Sequence, residues 1–217
     1  MKVIAYNASP RKNWNTAMLL ESALKGAASA GAQTKLIHLY DLNYHGCSSC
    51  FKCKRIGGES YGRCAMKDEL SPVLESFREA DAAIFGSPIY FWNASGTLRS
   101  FLERLCFPYV MYTKDEERSM FPRSMNTLFV YTSNMAEDLL KTSIVGQSLS
   151  CNEFVSTSVF KGKSSSYYCT ETLQFDDYSK YFSDMFDAKE RARRRNEVFP
   201  QQLIELFELG RKLAENT

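Results

Sequence analysis

The chain has 217 residues, 44% hydrophobic and 24% charged, which excludes a disordered, collagen-like or coiled-coil protein and suits a single domain over 1–217 with a substantial core. Its 27 basic and 25 acidic residues leave a net charge of +2, so no global field favours nucleic acid or an anionic membrane as partner. The opening MKVIAYNASPRKNW is too short in apolar residues for a secretion signal, and no later stretch approaches the roughly 18 needed to span a membrane. A cytoplasmic protein is expected, and its seven cysteines are then thiols, metal ligands or redox groups before they are disulfides.

Lys2 to Tyr6 is a continuous strand-forming run that breaks at Asn7-Ala8-Ser9-Pro10, ahead of a helix with Leu20, Ala23, Leu24 and Ala27 on one face. A second strand, Lys35 to Tyr40, follows Gly31. The Cys-rich stretch at about 46–66 has neither periodicity and reads as an inserted loop. Asp68 can cap a helix carrying Leu70, Val73, Leu74 and Phe77, and Ala82 to Phe85 is a short buried strand. Leu98, Phe101, Leu102 and Leu105 give the next helix, Thr127 to Tyr131 the next strand, and Met135 to Gly146 a further helix. The β-branched run Phe154 to Phe160 predicts the fifth strand, followed by a polar loop, Lys161 to Ser166. Phe182 to Leu213 predicts one or two helices, with Pro200 near a helix start. This alternation predicts a three-layer α/β sandwich, a five-stranded parallel sheet with helices on both faces.

In such a sheet ligands lie beyond the carboxyl ends of the strands. The first loop there holds Ser9, Arg11, Lys12, Asn15 and Thr16 at a helix start, where backbone N–H groups and cations make an anion site. GxGxxG and GxxxxGK[ST] are both absent, so a monophosphate fits better than a pyrophosphate. After the third strand, Pro88, Ile89, Tyr90, Phe91 and Trp92 form an apolar wall suited to a flat heteroaromatic ring. Thr132 and Ser133 follow the fourth strand and offer polar contacts to the ring's other edge.

The SPRKxxNT element after strand one, with GSPIY after strand three, resembles the FMN-binding NADPH-dependent reductases of flavodoxin-like fold, especially their iron-sulfur flavoprotein branch. The resemblance implies FMN as cofactor and NAD(P)H as co-substrate. It places Ser9, Arg11, Asn13, Asn15 and Thr16 at the FMN phosphate, Pro88 to Trp92 beside the isoalloxazine, and Thr132 and Ser133 near its pyrimidine edge. It also implies a homodimer or homotetramer.

Cys47, Cys50 and Cys53 form C-x2-C-x2-C, a spacing that suits three corners of a 4Fe-4S cubane, with Cys64 as the fourth ligand. Ten residues separate Cys53 from Cys64, and zinc, a regulatory disulfide or free thiols remain open alternatives. Cys106, Cys151 and Cys169 read as small buried hydrophobes. The run Lys189, Arg191, Arg193, Arg194, Arg195 is interleaved with Glu190 and Glu197, so it reads as a solvated helix face, one arginine of which is available to a pyridine nucleotide's phosphates. With two histidines there is no hydrolytic constellation, and any redox chemistry belongs to the cofactor.

The expected function is an FMN-dependent oxidoreductase reducing free flavin, a quinone or a similar small acceptor. The rival is a non-enzymatic electron carrier passing electrons between a ferredoxin-like partner and an acceptor, and a third class is a flavin-free binding module. Ser164 to Tyr181, rich in Tyr and Phe, is a candidate cover for the flavin or an interface.

Overall fold

The structure is a computed structural model and describes residues 1–216. Five strands, β1 (Lys2–Asn7), β2 (Gln33–His38), β3 (Ala82–Tyr90), β5 (Met125–Thr132) and β6 (Lys161–Cys169), form a parallel sheet in the order β2-β1-β3-β5-β6. A two-residue strand, β4 (Asn93–Ala94), folds back antiparallel on the end of β3.

Alternating side chains divide the core. Val3, Ala5, Ala82, Ile84, Leu128 and Val130 face helices α1 (Asn15–Ser29) and α7 (Phe199–Glu215). Ile4, Tyr6, Ala83, Phe85, Phe129 and Tyr131 face the opposite layer, made by α2 (Ser71–Arg78), α3 (Gly96–Cys106) and α5 (Ile144–Phe160). Strands buried on both faces read as continuous apolar runs, which is why β1 and β5 are so visible in the sequence.

The fifth strand is present but lies elsewhere than predicted. Phe154 to Phe160 is the last part of α5, and the polar segment assigned to a loop is β6. Val145, Leu149, Asn152, Ser156 and Val159 are buried at helical spacing, and Ser143 caps the helix by accepting from the Val145 N–H at 3.3 Å. Burial of that face overrides the β-branched propensity. β6 is an edge strand whose alternate residues are exposed, so lysines and serines suit it. The C-terminal helices are two, α6 (Ala188–Glu197) and α7, with Pro200 in the first turn of the latter. The predicted helix over 135–146 is interrupted: a short α4 (Glu137–Thr142) ends before α5 begins.

α1 and α7 cross at two glycines. A Cβ on Gly26 would lie 1.8 Å from the Phe207 carbonyl oxygen, and one on Gly210 would lie 1.9 Å from that of Ala23. Neither contact can be relieved by a rotamer change, so any side chain forces the helices apart. Gly210→Ala is expected to destabilise by about 1–3 kcal/mol despite its better helix propensity, read as a lower urea midpoint with unchanged slope.

Candidate flavin site and cysteine loop

Three loops meet at the carboxyl edge of the sheet. β1 ends in Asn7, whose Oδ1 accepts from the Ser9 N–H at 3.0 Å and turns the chain sharply out of the sheet. Ser95 ties that turn to the other side. Its hydroxyl donates to the Ala8 carbonyl at 2.9 Å and accepts from the Leu98 N–H at 3.3 Å, while its own N–H donates to Ser87 Oγ at 2.9 Å. The loop after β1, the end of β3 and the start of α3 are thus one hydrogen-bonded unit.

A cavity of about 720 Å³ opens over this unit. Ser9, Arg11, Asn15 and Thr16 line one side, Pro88 to Trp92 another, and Thr132 and Ser133 the third. Asn13 is exposed and stands outside the lining. At the N-terminus of α1, Trp14 occupies the cap position without a side-chain capping hydrogen bond, its indole N–H donating instead to the Leu173 carbonyl at 3.1 Å, and the first turn carries no acid. The first N–H groups of α1 therefore lack a side-chain acceptor, the arrangement that suits an anionic group. Arg11 is pinned beside them, donating to the Gln174 carbonyl at 2.6 Å and lying 5.2 Å from the Trp14 ring centroid. Thr16 Oγ1 and Thr132 Oγ1 are 2.8 Å apart, so the first and fourth loops touch directly.

The aromatic wall is a strained hairpin. Phe91 and Trp92, between β3 and β4, have φ values of 46° and 63°, a left-handed conformation that bulky residues adopt at a cost. Their side chains are 92% and 59% exposed. Tyr90 is partly enclosed, and burial raises its phenol above the ordinary value.

The segment after β6 completes the enclosure: Thr172, Gln174, Met185 and Phe186 all line the cavity. So does Arg191, which departs from the expectation of a solvated helix face. Arg191 is 8% exposed, donates to Asn134 Oδ1 at 2.5 Å, pairs with Glu171 at 3.2 Å and lies 5.4 Å from the Phe186 centroid. Arg195 donates to Asn15 Oδ1 at 2.7 Å and lies 4.2 Å from the Phe199 centroid. Arg193 instead faces outward to Glu190 and Glu197. Positions 191 and 195 are four apart, the spacing of an inward stripe, and this was the sequence signal that a count of charges conceals.

The cysteine loop is fixed to the last turns of α3. Arg104, 1% exposed, forks onto Asp68 and also donates to the His45 carbonyl at 3.3 Å and to Cys64 Sγ at 3.4 Å. Glu103 accepts from the Cys47 N–H at 3.1 Å. Lys54 donates to the carbonyls of Phe107, Pro108 and Val110. These contacts bring Cys47, Cys50, Cys53 and Cys64 around one small cavity that Arg104 also lines. Among the described residues, no group of three or more His, Cys, Asp or Glu side chains converges on a metal-ion position. Of the remaining cysteines, Cys106 and Cys169 are buried as expected, and burial pushes both thiols up to about 12. Cys151 departs from the expectation and is exposed on α5.

The sheet order, the strand-end cavity and the flanking helices define a flavodoxin-like α/β protein. The NADPH-dependent FMN reductase model matches residues 1–122, and the chain belongs to that family. An iron-sulfur flavoprotein of Methanocaldococcus jannaschii is 36% identical over 104 residues, 48% of this chain and 51% of that one. One from Methanosarcina thermophila is 26% identical over 104 residues, 48% and 52% of the two chains. The chain thus spans about half the length of the curated relatives it matches. Among solved structures, an NAD(P)H:quinone oxidoreductase from Methanothermobacter marburgensis superposes with a TM-score of 0.67 at 15% identity, covering 98% of this chain and 96% of that one. An FMN-dependent NADH-azoreductase from Bacillus anthracis, in complex with FMN, gives 0.59 at 12% identity over 99% and 100%. At such identities these two comparisons establish the shared fold. Among the described residues, no helix is long and apolar enough to cross a membrane.

The Arg104–Asp68 pair has a testable energetic signature. The guanidinium beside Asp68 holds its carboxyl below the usual carboxylate range. A depressed folded value stabilises the protein above the unfolded carboxylate's pKa, and that contribution is lost as pH falls through the folded value. Arg104→Met is expected to cost about 3 kcal/mol at pH 7. The deficit should shrink as urea titrations are repeated at progressively lower pH; a gap independent of pH would show that Asp68 is not the partner that matters.

Proposed function

We propose that this chain binds FMN in the strand-end cavity and is an FMN-dependent oxidoreductase, using NAD(P)H to reduce free flavin, a quinone or a similar small acceptor. The observation that carries this is the α1 N-terminus, free of side-chain caps and flanked by Arg11, facing one cavity with an aromatic hairpin. These residues fit the cofactor: one end of the cavity suits a phosphate dianion, the other a flat ring. Ser9, Arg11, Asn15 and Thr16 would hold the phosphate. Pro88 to Trp92 would flank the ring, with Thr132 and Ser133 at its polar edge. Bound FMN would supply hydride acceptance and electron delivery in ones or twos.

The chain's own residues bind, orient and exclude water. The Ser87–Ser95–Ala8 hydrogen bonds hold the hairpin and the phosphate loop at a fixed separation. Tyr90, Phe91 and Trp92 restrict which face of the site a nicotinamide or acceptor reaches, and Arg191 supplies a positive charge at the cavity wall. A homodimer or homotetramer, consistent with the family likeness, would cover the exposed aromatic rim.

The test is anaerobic NAD(P)H oxidation by FMN-reconstituted protein with a soluble quinone. Multiple turnovers without a protein partner are expected, and absence of turnover would contradict an enzyme. Arg11→Ala should weaken FMN binding about tenfold or more, the scale of one charge-assisted contact, with the melting temperature nearly unchanged.

A second reading rests on the four cysteines around one cavity beside the Arg104 cation. Four thiols are the donor set of a 4Fe-4S cluster, and Cys47, Cys50, Cys53 and Cys64 would be its ligands in an electron carrier served by a ferredoxin-like donor. Anaerobically purified protein would then carry about four irons per chain with matching acid-labile sulfide. Flavin without iron would leave the reductase reading alone.

A further inference from the structure

A second cavity, of about 480 Å³, lies between α3 and α5 and shares no lining residue with the candidate flavin site. Its walls include the apolar side chains of Leu102, Phe107 and Val155. Its volume falls within the range of small-molecule sites, which are largely apolar with a few placed polar groups.

Its polar lining includes Asn152 and Arg99. Asn152 is 3% exposed, and its Nδ2 donates to the Tyr131 hydroxyl at 2.9 Å. Its Oδ1 accepts from Arg99 Nη1 at 3.1 Å, holding the guanidinium at the cavity. Arg99 has no ion-pair partner among the described residues. In this it differs from Arg104, Arg191 and Arg211, each paired with a carboxylate. The one acid in the lining, Glu103, accepts from the Cys47 N–H of the cysteine loop. An oriented guanidinium with donors to spare, at the exposed rim of a cavity with apolar walls, recognises a carboxylate-type anion.

We propose that the α3–α5 cavity is a second small-molecule site, for a compound with an apolar body of one or two rings and a single anionic group facing Arg99. Cys47 lines both this cavity and the four-thiol cavity, so the ligand sits against the cysteine loop and not against the strand-end site. The assignment does not depend on whether FMN occupies the strand-end site.

The test uses naphthalene-2-carboxylate as probe, titrated calorimetrically into the 217-residue chain with FMN present in excess, and 2-naphthamide as the neutral control. One site per chain is expected, with the amide binding at least tenfold more weakly. Arg99→Gln should weaken the carboxylate at least tenfold and Arg99→Lys less. Val155→Trp, at a position 39% exposed on α5, should fill the cavity and abolish binding while the circular dichroism spectrum is unchanged. The proposal is overturned if the wild-type protein does not bind the probe, or if Arg99→Gln and Val155→Trp both leave binding unchanged. It is equally overturned if the wild-type protein is a dimer that binds no probe and Val155→Trp renders it monomeric, since a second copy then covers this face.

Discussion

Everything at the candidate site depends on the parallel register of β1, β3 and β5. Parallel strands buried on both faces send their carboxyl ends to one edge, and the chain must leave that edge by a crossover to reach the next parallel strand. Asn7 and Gly86 therefore arrive at one level, paired in register, and Thr132 ends two residues beyond them, paired with Pro88. The Ala8 N–H donates to the Gly86 carbonyl at 2.8 Å, extending the ladder one step beyond the strand before the phosphate-type loop diverges. A helix N-terminus, an aromatic hairpin and a polar loop thus share one cavity because the sheet brings them there.

Much of this was legible in the sequence because its signals are local. Apolar runs of four residues, Val3 to Tyr6 and Leu128 to Tyr131, mark β1 and β5, and SPRKxxNT declares a strand-to-helix turn rich in anion-binding groups. What was not legible was set by tertiary packing. Val155, Val159 and their neighbours form a helix because Leu149, Asn152 and Ser156 have a sheet face to cover, and Ser164 to Ser166 form a strand because β5 offers an open edge. Likewise Arg191 and Arg195 become structural only once the segment after β6 folds back to present Glu171 and to bring α6 over Asn15.

α3 connects the two chemically distinctive regions. Its N-terminus is capped by Ser95 within the flavin-site unit, and its last turns supply Glu103 and Arg104 to the cysteine loop. The helix is a rigid strut of 11 residues, so the separation of the strand-end cavity from the thiols is fixed by its length and not by the inserted loop. A buried arginine at such a junction costs desolvation free energy, which the forked contact to Asp68 offsets. Strain at Phe91 and Trp92 is held at the other end, where the same hydrogen-bonded unit over-determines the backbone.

The most direct measurement of the central claim is an equilibrium titration of flavin-free protein with FMN and, separately, with riboflavin, followed by flavin fluorescence. The account predicts one FMN per chain and binding of riboflavin weaker by at least tenfold, because the α1 N-terminus and Arg11 have no anion to hold. Equal affinity for the two flavins, or no binding of FMN, would contradict it.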